Sequence, residues 1–295
     1  AARLAQPLPP AAEGPSGDTL AGVYRSLEAS FDPAHGGFGG PPKFPPAASL
    51  EFLLRVAGRP WAPRAGAMAR HTLAAMADGG IHDQVEGGFA RYAVDERWLV
   101  PHFEKMLYDN ALLARLYLRG AQVTGEARFT AIARSTLDYL LAALALPGGG
   151  FASSEDADSE GEEGRYHTLS AGDFASAAGA TAALAAPVLG VTPEGNFEGR
   201  NVLHRARPAA AVAASAGVSP AEVERAVADA LAGVRALRSG RVRPERDDKA
   251  VAAWNGLAIR ALAEAAAVLD DAPYLEAAIR AGNFALAELR RGDGR

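Results

Sequence analysis

The sequence predicts an all-α fold built as a ring of helical hairpins. Helical hydrophobic periodicity dominates the 295 residues, and convincing strands are scarce. A Gly-Gly-Phe motif also returns between pairs of helices, in AHGGFGG (34–40), EGGFARY (86–92), PGGGFAS (147–153) and, more loosely, EGNFEGR (194–200). A unit of roughly 50–60 residues that recurs in this way is compatible with a ring of hairpins.

About nine helices follow from the apolar spacing. In chain order they lie near 18–30, 46–58, 62–78, 102–123, 126–144, 171–186, 219–238, 249–269 and 272–291. Pro101 is placed to begin the fourth, because its missing N–H costs nothing at the first helical position. Residues 1–17, rich in Ala, Pro and Gly, are expected to be a linker, and residues 18–295 a partial helical domain.

Composition narrows the functional classes. The formal charge of −5 and pI near 5.7 argue against nucleic-acid and acidic-membrane partners, which require a basic face. There are no cysteines, so thiolate metal sites and thiol redox chemistry are excluded for this chain. No HExxH pattern or long apolar run is found either. We expect a soluble cytoplasmic protein without a metal or cofactor, acting on a small polar molecule.

The stretch from 81 to 110 leads into the fourth predicted helix and is dense in polar and aromatic residues. On a helix that begins at Pro101, His102, Lys105 and Asp109 share a stripe with apolar residues, which indicates a polar pocket at the N-terminal end. His102 and Asp109 are therefore candidate catalytic residues. Candidate substrate-binding residues around them are Asp83, Arg91, Tyr92, Trp98, Lys105 and Tyr108. The alternative is that these side chains are ion-paired supports at the top of a core.

A second helix repeats this pattern. On a helix from 249 to 269, Asp248 and Asn255 fall on one face with apolar residues below them. Asp248 is a catalytic candidate, although an Asp there is also a favourable helix cap. Asn255 is a candidate for substrate binding. Trp254, a further candidate for substrate binding, lies off this face and is expected to pack or to form the rim of the site.

Charged runs supply two further candidate groups. The acidic segment SSEDADSEGEEG (153–164) follows a Gly-Phe turn, which places Glu155 and Asp156 near the predicted pocket, although a solvated acidic loop is the ordinary reading. A group of arginines precedes the Asp248 helix: Arg235, Arg238, Arg241, Arg243 and Arg246. These could clamp an anionic substrate, but pairing with the acidic segments of the same protein is the favoured interpretation.

Four ordered motifs resemble one known family: GGFGGPPKFP, GGIHDQVEGGFARYAVDERWLVPHFEKMLYDNALLA, SSEDADSEGEEGRYH and RPERDDKAVAAWNGLAIRALA. They are similar to the thioredoxin-domain-containing family related to spermatogenesis-associated proteins, over roughly residues 18–290. The resemblance implies an (α/α)6 toroid similar to N-acylglucosamine 2-epimerases and six-hairpin glycosidases, incomplete in this chain. It also implies an attached N-terminal thioredoxin-like domain as a partner.

These observations leave three functional hypotheses. The leading one is a sugar site with epimerase- or isomerase-like chemistry, in which His102 is the general base, Asp109 or Glu104 orients its ring, and Lys105 or Arg91 stabilises an enediolate. The second is glycoside hydrolysis by paired carboxylates, Glu155 or Asp156 with Asp248. The third is a non-catalytic module that presents a ligand or partner to the thioredoxin-like domain.

Overall fold

The computed structural model describes residues 16–290, which are predominantly helical. The α-helices are α1 (Gly17–Ser30), α2 (Ala47–Val56), α3 (Ala65–Asp78), α4 (Leu107–Thr124), α5 (Ala127–Tyr139), α6 (Ala171–Ala178), α7 (Ala182–Leu189), α8 (Ala209–Ala216), α9 (Pro220–Ser239), α10 (Ala252–Leu269) and α11 (Ala272–Phe284). Two-residue strands lie in three of the connecting segments: β1 (Tyr92–Ala93), β2 (Pro101–His102) and β3 (Lys105–Met106) before α4, β4 (Ser154–Glu155), β5 (Asp158–Ser159) and β6 (Glu162–Glu163) before α6, and β7 (Arg246–Asp247) before α10. The predicted all-α class is confirmed.

The helical hairpins lie in two layers, as in an α/α toroid. Helix α4 packs between α2 and α10 in the inner layer, and α3, α5 and α11 lie behind them. Apolar faces of both layers form one continuous core that includes Leu73, Tyr117 and Leu262, each fully buried. The predicted linker lies outside the described residues, except that Ser16 caps α1 and Gly17 begins it.

Helices α6–α9 form a separate unit between α5 and α10. They pack around α9 and enclose their own hydrophobic cluster, which includes Phe174, Leu189 and Val227. The helices predicted at 171–186 and 219–238 therefore belong to this unit, and a turn at Gly179–Thr181 interrupts the first of them. Helix α8 was missed, because AAAVAASA is apolar on nearly every side and has little periodicity.

The Gly-Phe turns are anchored by asparagines of the inner helices. Phe89 is fully buried; its backbone N–H donates to Asn110 Oδ1 at 2.6 Å, and its carbonyl accepts from Asn110 Nδ2 at 3.0 Å. Phe151 is held by Asn255 in the same way, at 2.8 and 3.0 Å. Gly88 has φ +76°, and a Cβ there would lie 2.6 Å from the Tyr139 ring, so only glycine fits this turn. The repeated motif thus joins one hairpin to the next.

Both polar helix starts were predicted too early. Helix α4 begins at Leu107, not near Pro101, because residues 101–106 pair with distant segments instead: Tyr92 faces His102, and Lys105 faces Glu155. Helix α10 begins at Ala252, so Asp248 is not on it. Long-range strand pairing outweighs local helical spacing here. His102, Lys105 and Asp109 therefore do not share a helical stripe.

Two segments have the length and mean hydropathy of a membrane span, Ala171–Leu189 and Ala252–Leu269, contrary to the sequence expectation. The first is divided between α6, a tight turn and α7. The second is the inner helix α10, whose Ala258, Ala261 and Leu262 are fully buried in the main core. Alanine content accounts for much of the hydropathy, and core helices share this property.

Candidate functional site

A polar and aromatic group lies where α4 and α10 begin, and we call it the mouth cluster: Arg91, Glu104, Tyr108, Asp109 and Trp254. The rings of Tyr108 and Trp254 meet with centroids 4.8 Å apart, which joins the two helix starts. Arg91 Nη1 donates to Glu104 Oε2 at 2.8 Å. All five side chains are only partly buried, so the cluster is accessible from solvent. Four of its members were candidates from the sequence, and Glu104 was assigned an orienting role.

Asp109 has the most informative electrostatics in this cluster. Burial raises its pKa from 3.8 to about 7, because Tyr108 and Arg91 only partly offset desolvation and Glu104 adds to the rise. Its Oδ2 is buried, and so is Arg91 Nε; neither atom has a hydrogen-bond partner among the described residues. Each of these atoms can form one further hydrogen bond.

His102 lies on a neighbouring aromatic strip. Its ring stacks on Tyr92 with centroids 4.9 Å apart, and Tyr92 in turn contacts the exposed Phe44 at 4.8 Å. Its Nδ1 is 2.7 Å from Glu163 Oε1, a partner on β6 that the sequence did not suggest. Glu163, not Asp109 or Glu104, therefore orients this imidazole.

Asp83 and Lys105 belong to a buried ionic network. Lys105 Nζ lies 2.9 Å from Asp83 Oδ2, and Arg238 Nη1 lies 2.8 Å from Asp83 Oδ1, with all three side chains at most 5% exposed. Burial opposes ionisation of Asp83, but Arg238 and Lys105 hold its pKa well below its usual range. Burial also lowers the pKa of the adjacent His167 to about 4. The network gives Asp83 and Lys105 a structural role; both also line a small cavity beside His167, and their assignment to substrate binding stays a prediction.

Glu155 is buried in the same interior. Its Oε2 accepts from the Tyr139 hydroxyl at 2.7 Å, and Arg243 Nε donates to its Oε1 at 2.5 Å. The carboxylate is held on β4, between β3 and β7, and is 3% exposed. The three strands bring together segments that are far apart in sequence. Pairing of the arginine group with acidic residues, as the sequence favoured, accounts for Arg238 and Arg243.

The remaining candidates fall outside the mouth cluster. Trp98 is completely buried and donates from Nε1 to the His35 carbonyl at 3.0 Å, so it cannot stack on a sugar. Asn255 is fully buried, and its side-chain amide is hydrogen-bonded to the backbone of Phe151. Asp156 is exposed and bonds only the adjacent backbone, while Asp248 pairs with Arg246 at 2.5 Å on the surface. Asp248 and Asn255 therefore do not join Asp109 in one polar pocket.

Several residues that build this region were not singled out in the sequence. Asn110 could have been found, because YDNALL and AWNGLA place an Asn at the same point of the two helices that follow a Gly-Gly-Phe motif. Glu163, His167 and Tyr139 carried no local signal, since their partners are reached only through the tertiary fold. Among residues 16–290, no three His, Asp or Glu side chains are grouped so that they could hold a metal ion.

No protein-family model matches the chain. The chain is similar to spermatogenesis-associated protein 20 from Homo sapiens, with 34% identity over 295 residues, 88% of this chain and 37% of that protein. An uncharacterized protein from Caenorhabditis elegans, B0495.5, is 30% identical over 91% of this chain and 41% of its own length. The chain thus spans only about two fifths of these curated relatives. They support the resemblance to spermatogenesis-associated proteins.

Among solved structures, the chain resembles a sugar epimerase from a ruminal bacterium, with 12% identity, a TM-score of 0.39, and coverage of 92% of this chain and 85% of that one. A cellobiose 2-epimerase from Bacillus thermoamylovorans gives 11% identity and a TM-score of 0.38, over 93% and 89%. Likenesses of this size carry no information about the chemistry of the site.

Proposed function

We propose that the mouth cluster is a sugar-binding site in which Asp109 transfers a proton, as in an isomerase- or epimerase-like reaction. The observation that carries this proposal is the Asp109 carboxyl, with a pKa of about 7 and a buried, unpartnered Oδ2. A group that titrates near neutrality can both accept and return a proton under physiological conditions. Asp109 therefore takes the role of base that the sequence suggested for His102.

The neighbouring side chains fit the needs of this reaction. When Asp109 Oδ2 accepts the proton from the carbon beside a sugar carbonyl, negative charge develops on the carbonyl oxygen as an enediolate. Arg91 has a buried Nε–H available to donate to that oxygen. Tyr108 and Trp254 offer aromatic faces for the sugar ring or chain. Return of that proton to the former carbonyl carbon, together with transfer of the neighbouring hydroxyl proton to the former carbonyl oxygen, would complete an isomerisation without a net change in protons.

One near-neutral carboxyl favours isomerisation over inversion at a single carbon. Inversion by proton transfer needs a second group on the opposite face of the carbon. His102 is the nearest such candidate along the chain, but Glu163 and Tyr92 hold its ring on a separate strip. Isomerisation, in which one group moves a proton between neighbouring carbons, therefore fits the described residues better than inversion does.

The geometry disfavours glycoside hydrolysis by the carboxylates first considered. Glu155 is buried beneath its strand and bound to Tyr139 and Arg243, whereas Asp248 is an exposed surface residue paired with Arg246. Hydrolysis requires two carboxyl groups that face one glycosidic bond. Within residues 16–290, these two do not face a common space.

The experiment is deuterium exchange with a panel of aldoses and ketoses in D₂O, followed by NMR. We expect the protein to introduce deuterium beside the carbonyl, and Asp109→Asn to reduce the rate by about 100-fold or more. Asp156→Asn is the matched control, since it removes an exposed carboxylate outside the cluster. If sugars bind without exchange, or if Asp109→Asn exchanges at the normal rate, the proposal is wrong; sugar binding alone would favour the non-catalytic module.

A further inference from the structure

A cleft of about 570 Å³ lies at the junction between the hairpin layers and the α6–α9 unit, away from the mouth cluster. We call it the junction cleft. Its polar lining comes from Gln84 and His82 after α3, Arg128 and Ser135 on α5, and Arg205 and Arg207 in the loop before α8. Its volume is in the range that small-molecule sites occupy.

Three arginines line the junction cleft, and they differ in how they are paired. Arg128 lies 3.0 Å from Asp78 and 3.7 Å from Glu126, and Arg205 reaches Glu224 only at 3.5 Å. Arg207 is exposed, and no carboxylate of the described residues lies within ion-pairing distance of it. Three guanidinium groups therefore face one space that contains two carboxylates. An anionic ligand would supply the ion pair that Arg207 lacks among residues 16–290.

The floor of the cleft is lined by neutral polar side chains. His82 is 4% exposed, its Nδ1 lies 3.2 Å from Gln84 Nε2, and its Nε2 lies 3.5 Å from Ser135 Oγ. With Nδ1 accepting from Gln84, Nε2 carries the hydrogen and faces Ser135. Ile132 and Val188 supply apolar surface beside them. The lining thus combines cationic groups at the rim, neutral polar side chains at the floor and an apolar wall.

We propose that the junction cleft binds a small molecule that carries a phosphate group. Guanidinium groups match phosphate oxygens through paired hydrogen bonds, and three arginines from two different elements suit an anion with several oxygens. The neutral polar side chains and the apolar wall line the space for the organic part. This site is independent of Asp109 and of the proposed proton transfer.

Titration calorimetry at low ionic strength, with inorganic phosphate, glucose 6-phosphate and glucose as probes, tests the proposal. We expect saturable binding of glucose 6-phosphate that weakens with added salt and falls about tenfold in Arg207→Ala, which removes no ion pair within the protein. Arg59→Ala, another exposed arginine outside the cleft, is the matched control. Equal affinity for inorganic phosphate would identify free phosphate as the ligand.

Ser135→Ala further distinguishes an organic phosphate from free inorganic phosphate as the ligand. We expect it to weaken glucose 6-phosphate binding by about threefold to tenfold, with a smaller effect on inorganic phosphate. Thermal melting of each variant confirms that the fold is intact. No saturable binding of either phosphate, or affinities within twofold of the unsubstituted protein in Arg207→Ala, would overturn the assignment.

Discussion

Asn110 satisfies both backbone polar groups of the buried Phe89 from one side chain, accepting from its N–H at 2.6 Å and donating to its carbonyl at 3.0 Å. The third bond, from Nδ2 to the Met106 carbonyl at 2.9 Å, ties the turn to the start of α4. The same arrangement joins Asn255 to Phe151 at the start of α10. These two asparagines therefore fix where the inner helices begin.

We expect Asn110→Ala to lower the free energy of unfolding by about 2–4 kcal/mol, because it leaves buried backbone groups of Phe89 without partners. Asn255→Ala should behave alike. Chemical denaturation measures both, and Asn283→Ala on the exposed side of α11 is the control. A loss below about 0.5 kcal/mol in both variants would show that the turns do not depend on these amides.

Local sequence was sufficient for the helices but not for the site. Apolar spacing located the helices because each buries one face against a neighbouring layer. It placed His102 and Lys105 on α4 in error, since their backbone pairs with Tyr92 and Glu155, which are distant in sequence. Asp109, Arg91, Tyr108 and Trp254 were all identified as candidates. Only the tertiary fold shows that they form one group and that Trp98 is buried beneath another turn.

Asp83 provides a second stability test. Asp83→Asn would leave Lys105 and Arg238 buried without their counter-ion, and we expect it to cost about 3–5 kcal/mol of unfolding free energy. Lys105→Met should cost less, because the Asp83–Arg238 pair remains. The reverse order, measured by urea denaturation of both variants, would contradict this description of the network.

The buried histidine His167 predicts a loss of stability in acid. Burial lowers its pKa from 6.5 to about 4, so the folded protein favours the neutral ring. This contribution is complete above pH 6.5 and is lost as the pH falls towards 4. In His167→Gln, the fall in unfolding free energy between pH 7 and pH 4.5 should be smaller by about 1–3 kcal/mol. Urea denaturation of both proteins at each pH measures this difference, and an equal fall in the variant would contradict the prediction.

The raised pKa of Asp109 predicts the opposite trend, a loss of stability as the pH increases. Its pKa rises from 3.8 to about 7 on folding, so its protonated form stabilises the fold at low pH, and this contribution is lost as the pH increases to 7. Asp109→Asn should therefore match the unsubstituted protein near pH 4 and exceed its unfolding free energy by about 1–3 kcal/mol at pH 8. Lower stability of the variant at pH 8 would indicate that the carboxylate is paired in the fold.

The most direct measurement is the titration of the Asp109 carboxyl carbon by ¹³C NMR, assigned from the signal that disappears in Asp109→Asn. The mouth cluster requires a midpoint near 7, since only then can this group accept and return a proton at neutral pH. We predict that value in the folded protein. A midpoint below about 5 would mean that Asp109 is an ordinary ionised carboxylate, and would contradict its role as the proton-transfer group.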